Sequence, residues 1–356
     1  MRLVVFRWPT LRASHCRRQE MPVQTTTQLN LSPDRAIALF QAEARHYELP
    51  SEETKTGLKV ISPYGEILVA RETSGVRLTL SSSDRAKLYV LQETIDHALG
   101  EIGEAESLCW SSSLAGARPP SMTLATVVSC QRISPSYFRV RLSDPDLERF
   151  SRDGLHFRLL FGPQDRPGEW PSILESGRTD WPGGTAAWHR PVYTVRMIDP
   201  LAGTLDFDVF VHEGGRVSHW CETVRSGDEV GLMGPGGGWL PERSWLGLYG
   251  DETALPAIAR MLAASAPDTT GVAVIVISHA NDVQVLGHPE GVSVKWLLRG
   301  RDAPLIDELK ALQLPEDQQR FIWFAGEKRE VEAARKHLAT LGLRKSEWQA
   351  AAYWVR

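Results

Sequence analysis

Residues Arg190 to Gly238 read RPVYTVRMIDPLAGTLDFDVFVHEGGRVSHWCETVRSGDEVGLMGPGGG. Tyr193-Thr194-Val195-Arg196 alternates an aromatic, a hydroxyl, an aliphatic residue and a cation, which is the period-two pattern of a strand. Alternation puts Tyr193 and Val195 on one face and Thr194 and Arg196 on the other. Ala202-Gly203 supplies a turn, and Thr204 to His212 is expected as the return strand. Gly214-Gly215 breaks it, and a short helix is expected from Arg216 to Val224. Ser226-Gly227-Asp228 turns the chain again, and Glu229 to Met233 makes one more strand before the glycines at 236–238. A sheet that leads through glycines into a helix N-terminus suits an anion, because free backbone N–H groups and the helix dipole both face it. An aromatic and a hydroxyl on the adjacent strand suit a flat, hydrogen-bonding ring. Together they describe a flavin site, with the ring against Tyr193 and Thr194, the pyrophosphate near Gly215 to Ser218, and Arg196 nearby as the cation. Patterning alone also fits an ordinary hairpin with a glycine-rich turn.

The stretch resembles the flavin-binding segment of the siderophore-interacting proteins, a branch of the ferredoxin-reductase-like superfamily. That family carries R-x-Y-T-x-R, then D-x-x-x-H, G-P-A-S-x-W, G-D and G-P-x-G. Here Tyr193-Thr194-Val195-Arg196 matches, as do Asp208 and His212, Gly215, Ser218 and Trp220, Gly227-Asp228, and Gly234-Pro235. Two features depart from the pattern. Arg190 stands three residues before the tyrosine, with Pro191 in the usual place of the arginine, and Arg216-Val217 replaces Pro-Ala. The resemblance implies FAD held by Arg190, Tyr193, Thr194, Val195, Arg196, Asp208, Val211, His212, Gly215, Arg216, Val217 and Ser218. It places Tyr193 and Thr194 at the reacting ring. Pro191 lacks an N–H and cannot continue an interior ladder, so the strand is expected to begin after it. Arg190 is then able to swing towards the pyrophosphate from outside the strand.

The 356 residues suggest two or three domains and suffice for sizeable cores. A net charge of −4 gives no general attraction to nucleic acid or an anionic membrane. No apolar run approaches the roughly 20 residues that span a bilayer. Cys16, Cys109, Cys130 and Cys221 are scattered and form no C-x-x-C pair, so neither a zinc site nor a disulfide framework is expected. No metal site is assigned, and a reducing cytoplasm is the expected compartment. His46 and His97 lack a second ligand at a familiar spacing and are read as packed or surface histidines.

The fold class expected is multidomain. Residues 1–21 hold five arginines and a short apolar patch, unlike a secretory signal, and are expected as a disordered extension; Met21 is an alternative start. Residues 22–110 are expected as a small α+β domain of unknown role. It has a helix opened by Ser32-Pro33, strands at Leu58–Ile61, Glu66–Ala70 and Val76–Leu80, and a second helix after Ser83-Asp84. It resembles the small uncharacterised domain that precedes the reductase in some siderophore-interacting proteins. Ser111 to Ser121 is a linker. Residues 122–241 are expected as an antiparallel β-barrel of about six strands binding FAD, since closure removes exposed edges. Its segment 162–189 is long and rich in Trp, Pro and Gly, which fits a functional or a disordered loop.

Residues 245–356 alternate strand and helix, so an α/β domain with a parallel sheet is expected. Strands are read at Leu246–Tyr249, Gly271–Ser278, Val292–Leu298 and Phe321–Phe324. Helices are read at Leu255–Ala264, Ala303–Leu312 and Lys328–Leu341. Ligands of such sheets bind beyond the carboxyl ends of the strands. By spacing alone, Thr253 is an N-cap. The run Gly250-Asp251-Glu252-Thr253-Ala254-Leu255-Pro256 nearly reproduces a family signature, which implies NAD(P)H pyrophosphate against Asp251, Glu252, Thr253 and Ala254. Trp323-Phe324-Ala325-Gly326-Glu327 resembles the family's W-x-A-G-E, so Trp323, Ala325, Gly326 and Glu327 are implied to face flavin and nicotinamide. Tyr353-Trp354 matches a terminal Y-W. Asp282 favours NADH, whereas His279 and Arg299 suit the 2′-phosphate of NADPH, so both nucleotides stay open.

The resemblance implies an FAD-dependent oxidoreductase that passes electrons from NADPH or NADH to iron in a ferric siderophore, releasing Fe(II). A ferredoxin or other protein acceptor would share every one of these motifs. A non-catalytic siderophore-binding or regulatory protein is the third reading, kept open by the displaced Arg190. A hydrolase is disfavoured because no G-x-S-x-G elbow occurs.

Overall fold

The computed structural model describes residues 22–47, 49–103, 108–112, 114–152, 154–239, 241–315 and 319–355. The expectation for residues 1–21 lies outside the described residues. The described chain divides into two compact units, residues 22–123 with 160–190, and residues 124–159 with 191–355.

The first unit opens with β1 (Val23–Leu29), α1 (Pro33–His46), β2 (Ser51–Thr54), β3 (Gly57–Ser62), β4 (Gly65–Glu72), β5 (Gly75–Ser82) and α2 (Arg85–Glu101). The strands form one antiparallel sheet in the order β1-β5-β4-β3-β2. α1 buries Ala36, Ile37, Phe40 and Ala44 at helical spacing against it. Asp84 caps α2, accepting from the Lys87 N–H at 2.8 Å, whereas Ser32 makes no side-chain cap bond. β1 and β2 escape the sequence reading. β1 alternates threonine and glutamine with little apolar signal, and β2 is exposed at every position.

The second unit contains β6 (Met122–Ser134), β7 (Tyr137–Ser143) and β8 (His156–Leu160). Residues 160–190 then pack in the first unit, with a two-stranded ribbon of β9 (Ser172–Ile173) and β10 (Thr179–Asp180). There the Tyr89 hydroxyl meets Thr179 Oγ1 at 2.6 Å, and Gly116 N–H donates to the Ile173 carbonyl at 2.7 Å. The segment from Ser111 is therefore hydrogen-bonded into a folded body, with Ser111 N–H donating to the Thr26 carbonyl at 2.8 Å. The tryptophan-rich stretch is part of that same packing.

The chain continues through β11 (Val192–Thr194), β12 (Met197–Asp199), β13 (Thr204–Phe210), α3 (Arg216–Thr223) and β14 (Glu229–Gly236). The seven strands run in the order β11-β8-β14-β6-β7-β13-β12. The two outer strands are halves of one stretch, joined by Val195-Arg196. Val195 N–H donates to Leu155 O at 2.9 Å and Arg196 N–H to Asp206 O at 2.8 Å. The sheet thus closes on itself at the Tyr193–Arg196 motif, which removes its edges. Because the chain changes partner strand there, strict alternation fails. Thr194 and Val195 are both buried, where period-two patterning put them on opposite faces. The return strand also ends at Phe210, two residues early, because Val211 to Gly215 form the turn into α3.

The rest of the unit is a parallel sheet built from β15 (Trp245–Gly250), α4 (Leu255–Ala264), β16 (Thr270–Ile277), β17 (Val292–Leu298), α5 (Leu305–Lys310), β18 (Arg320–Glu327), α6 (Lys328–Thr340) and β19 (Trp348–Trp354). Its order is β17-β16-β15-β18-β19. The direction of winding reverses between β15 and β18, so the crevice beyond their carboxyl ends is where such sheets take ligands. β19 is absent from the sequence reading, since Gln-Ala-Ala-Ala carries little strand propensity. β18 runs on to Glu327, past the expected Phe324.

Candidate active site

β11 pairs with β8 so that Thr194 lies directly opposite His156. Cross-strand partners share a face, and both side chains are buried. Thr194 Oγ1 stands 3.0 Å from His156 Nδ1, and Tyr353 Oη stands 2.9 Å from His156 Nε2. Burial, helped by the charge of Arg260, pushes the His156 pKa down to about 4, so the ring is neutral at pH 7. Tyr193 packs its ring 5.3 Å from Phe207 and 6.5 Å from Phe157, centroid to centroid. Burial raises its phenol above the usual range. Val195 is fully buried and its N–H is spent on Leu155.

Asp208 is buried and accepts a bidentate pair from Arg139 at 2.7 and 2.8 Å. Arg196 sits beside it, with Nε 3.6 Å from Asp208 Oδ2. That distance is too long for a hydrogen bond, and Arg196 Nε has no hydrogen-bond partner among the described residues. Arg196 is thus a mostly buried cation with an N–H to spare. At the far end of β13 the chain turns through Val211 and His212, and Gly215 caps α3. A Cβ on Gly215 would lie 2.5 Å from the exposed His212 ring, which would have to turn aside. Ser218 Oγ accepts the His212 N–H at 3.2 Å. The first-turn N–H groups of Val217 and Ser218 have no acceptor within the helix by helix geometry. A spare arginine N–H and these amides are the donor set that an FAD diphosphate requires. Arg190 lies in the first unit, with its guanidinium 4.6 Å over the Trp181 ring.

At the sheet's switch point, Asp251 is fully buried and serves the turn itself. Its Oδ1 accepts from Thr253 N at 2.9 Å and Thr253 Oγ1 at 2.6 Å, and its Oδ2 accepts from Trp354 Nε1 at 2.7 Å. Thr253 therefore does not cap α4; Ala254 stands at the cap, without a side-chain bond. A Cβ on Gly326 would come 2.8 Å from Asp251 Oδ2, so the end of β18 must pass as glycine. Ala325 lies on β18 opposite Gly250, and its carbonyl accepts the Asp251 N–H at 3.2 Å. Trp323 packs edge-on to Tyr353 at 6.0 Å. Glu327 caps α6, accepting from Arg329 N at 2.8 Å. Glu252 is buried and ion-paired with Arg299, whose Nε donates to Glu252 Oε1 at 2.7 Å, and Ser278 Oγ donates to that same oxygen at 2.7 Å.

The acid read as favouring NADH has another task. Asp282 is fully buried, and its carboxylate accepts from Ser134 Oγ at 2.7 Å, Ser136 N at 3.0 Å and His279 N at 2.9 Å. It ties the parallel sheet to the β6–β7 hairpin and is saturated by that role. Two further struts act beside it. Tyr137 Oη donates to the Glu252 carbonyl at 2.7 Å, and the buried Arg260 donates to the Phe150 carbonyl at 2.6 Å.

Sequence reasoning missed His156, Arg139, Asp282 as a strut and the contacts of Tyr353. Nothing local marks His156, because its two partners lie 38 and 197 residues away in the chain.

A closed antiparallel barrel leads into a five-stranded parallel sheet, with a helix start beside the barrel and a buried turn at the sheet's switch point, which is the architecture that the resemblance to the ferredoxin-reductase-like superfamily implied. Residues 126–239 match the siderophore-interacting FAD-binding domain, and residues 243–356 match the family described as siderophore-interacting protein. The chain is 30% identical over 239 residues to the ferric vibriobactin reductase ViuB of Vibrio cholerae, covering 63% of this chain and 86% of that one. It is 30% identical to the NADPH-dependent ferric-chelate reductase of Escherichia coli, covering 64% and 91%. The crystal structure of a siderophore utilization protein from T. fusca superposes with a TM-score of 0.58 at 32% identity, over 66% of this chain and 93% of that one. The chain belongs to the siderophore-interacting protein family. No helix among the described residues is long and apolar enough to cross a membrane.

Proposed function

We propose that the protein is an FAD-dependent reductase that passes electrons from NADPH or NADH to ferric iron chelated by a siderophore. The observation that carries this reading is the join made by two adjacent residues of β19. Tyr353 bonds His156, which stands behind Thr194, while Trp354 bonds Asp251 at the switch-point turn. One strand therefore links the flavin half of the site to the nucleotide half. The names of the curated relatives supply the substrate class.

FAD bound there would supply the step from hydride to single-electron chemistry, two electrons from one nicotinamide serving two Fe(III) ions. Every other role belongs to the chain's own residues. Thr194 would present its hydroxyl to the edge of the flavin ring, and Tyr193 would pack against that ring. Arg196 and the first-turn amides of Val217 and Ser218 would hold the diphosphate. The α4 start, with Thr253 and Ala254, holds the nicotinamide nucleotide's diphosphate. Asp251 and Glu252 shape that turn with side chains already bonded within the protein, and Gly326 leaves room beside Asp251. Such an enzyme works where nicotinamide nucleotides are held, in the cytoplasm. Denaturing the purified protein and identifying the released flavin tests the reading. FAD is expected; no flavin, with failed reconstitution, rejects it. Comparing a ferric siderophore with a ferredoxin as oxidant of the reduced protein tests the acceptor.

A further inference from the structure

Two free cysteines that lie 91 residues apart in the chain meet beside the barrel. Cys130 is half-buried on β6, opposite Val140 of β7. Cys221 is buried in the last turn of α3, one turn beyond Val217 on the same buried face. The Cys130 thiol donates to the Cys221 carbonyl at 3.3 Å, in the turn where helix geometry supplies no N–H to meet that carbonyl. The two thiols are also bonded to one another. That bond holds the Cys130 thiol below the ordinary cysteine range, and with burial it pushes the Cys221 thiol above that range. Capping the helix end needs only one donor, which a serine hydroxyl would supply; it gives no reason for a second sulfur. A thiol within reach of solvent, set against a buried thiol that still carries its proton, is the arrangement in which the first is oxidised and the second resolves it. Disulfides formed in a reducing compartment are of this transient kind.

We propose that Cys130 and Cys221 form a reversible disulfide in the presence of hydrogen peroxide, and that this bond weakens the hold of α3 on FAD. The second half rests on the reading of the α3 start as a holder of the FAD diphosphate. In the first step the Cys130 sulfur attacks peroxide. An S–O bond forms, the O–O bond breaks, and the departing oxygen leaves as water with the Cys130 proton. The Cys221 sulfur then attacks the Cys130 sulfur. The S–S bond forms, the S–O bond breaks, and the second oxygen leaves as water with the Cys221 proton. Each sulfur is oxidised by one electron, and the peroxide takes both. The disulfide draws the sulfurs to about 2.05 Å and removes the thiol proton from the Cys221 carbonyl. The last turn of α3 has to shift, and in a helix of 8 residues the first turn shifts with it. Hydrogen bonds weaken steeply with lost distance and angle, so the amides of Val217 and Ser218 then hold a diphosphate less well. Fe(II) released beside peroxide generates hydroxyl radicals, and a chain that loses its FAD under peroxide stops that release.

Two measurements on the full chain test this. In the first, the flavin-free protein is treated with hydrogen peroxide, blocked with iodoacetamide in denaturant and digested without reductant. Mass spectrometry should find the peptides of Cys130 and Cys221 joined, at peroxide levels that leave the exposed Cys109 open to alkylation, and dithiothreitol should separate them. Cys130 driven to sulfinic acid while Cys221 is alkylated overturns the proposal, as do both thiols alkylated while Cys109 is oxidised. In the second, the reduced and oxidised chains are titrated with FAD. The oxidised chain should bind about tenfold more weakly, the loss expected for one charge-assisted hydrogen bond, and dithiothreitol should restore the affinity. Cys221→Ser should bind FAD equally well before and after peroxide. Joined peptides with an unchanged FAD affinity overturn the control over the flavin and leave the FAD reading standing. FAD bound in neither state rejects the FAD reading and the control with it, while the joined peptides still establish the disulfide.

Discussion

On the proposed reading, Thr194 at the end of β11 serves the chemistry and Arg196, in the join before β12, serves binding. Thr194→Val keeps the volume and loses the hydroxyl, so flavin should stay bound while its reduction slows by more than about tenfold. One lost hydrogen bond with a partner left unsatisfied costs about 1–3 kcal/mol, which spans that factor. Anaerobic stopped-flow absorbance checks this, and an unchanged rate removes Thr194 from N5. Arg196 is largely buried and its Nε has no hydrogen-bond partner among the described residues, whereas Arg190 lies against Trp181. A charge-assisted bond to phosphate contributes about 1.5–3 kcal/mol. Arg196→Ala should then weaken FAD binding by roughly tenfold to a hundredfold. Titration of the apo-variants with FAD compares the two arginines. If Arg190→Ala binds like wild type, the extra residue in the motif has taken that arginine out of the site.

At the scale of elements, the helix α2 carries a titration that the redox site does not use. Asp96 is buried on α2; its Oδ1 accepts from Trp110 Nε1 at 3.3 Å, and its Oδ2 has no hydrogen-bond partner among the described residues. Burial holds its pKa up at about 6. The folded value lies above the unfolded one near 4, so the protonated form adds stability below about pH 4 that is lost as pH rises through 6. Asp96→Asn should therefore stabilise the first unit by about 1–3 kcal/mol at pH 7.5 and by little at pH 4. Urea unfolding at the two pH values measures it, and an equal effect at both contradicts it. The elements also show where sequence is legible. Motifs that demand a residue type, such as Tyr193-Thr194 or the Gly250–Pro256 turn, stand out locally. Closure of the barrel at Val195-Arg196 does not, because it depends on which strands flank the motif. β19 and His156 stay hidden for the same reason: their partners are remote in the chain.

For the second unit as a whole, the barrel and the parallel sheet must hold a ring and a nicotinamide in register. Asp282, Tyr137 and Arg260 supply that register through hydrogen bonds to the opposite half. Asp282→Ala would strand the buried Ser136 N–H and is expected to cost about 1–3 kcal/mol. Misplacement by about 1 Å can cost roughly a hundredfold in rate, so hydride transfer should fall further than stability does. Thermal unfolding and the rate of flavin reduction in the same variant check this. The protein's activity is the passage of electrons, at one site, from a nicotinamide nucleotide to chelated ferric iron. Its most direct measurement is the absorbance of the FAD-loaded protein under anaerobic conditions, first with NADPH or NADH and then with a ferric siderophore. The flavin absorbance should bleach on adding nucleotide and return on adding the ferric siderophore, with Fe(II) trapped by a ferrous chelator. A flavin that neither nucleotide bleaches, or a bleached flavin that a ferric siderophore leaves reduced, would contradict it.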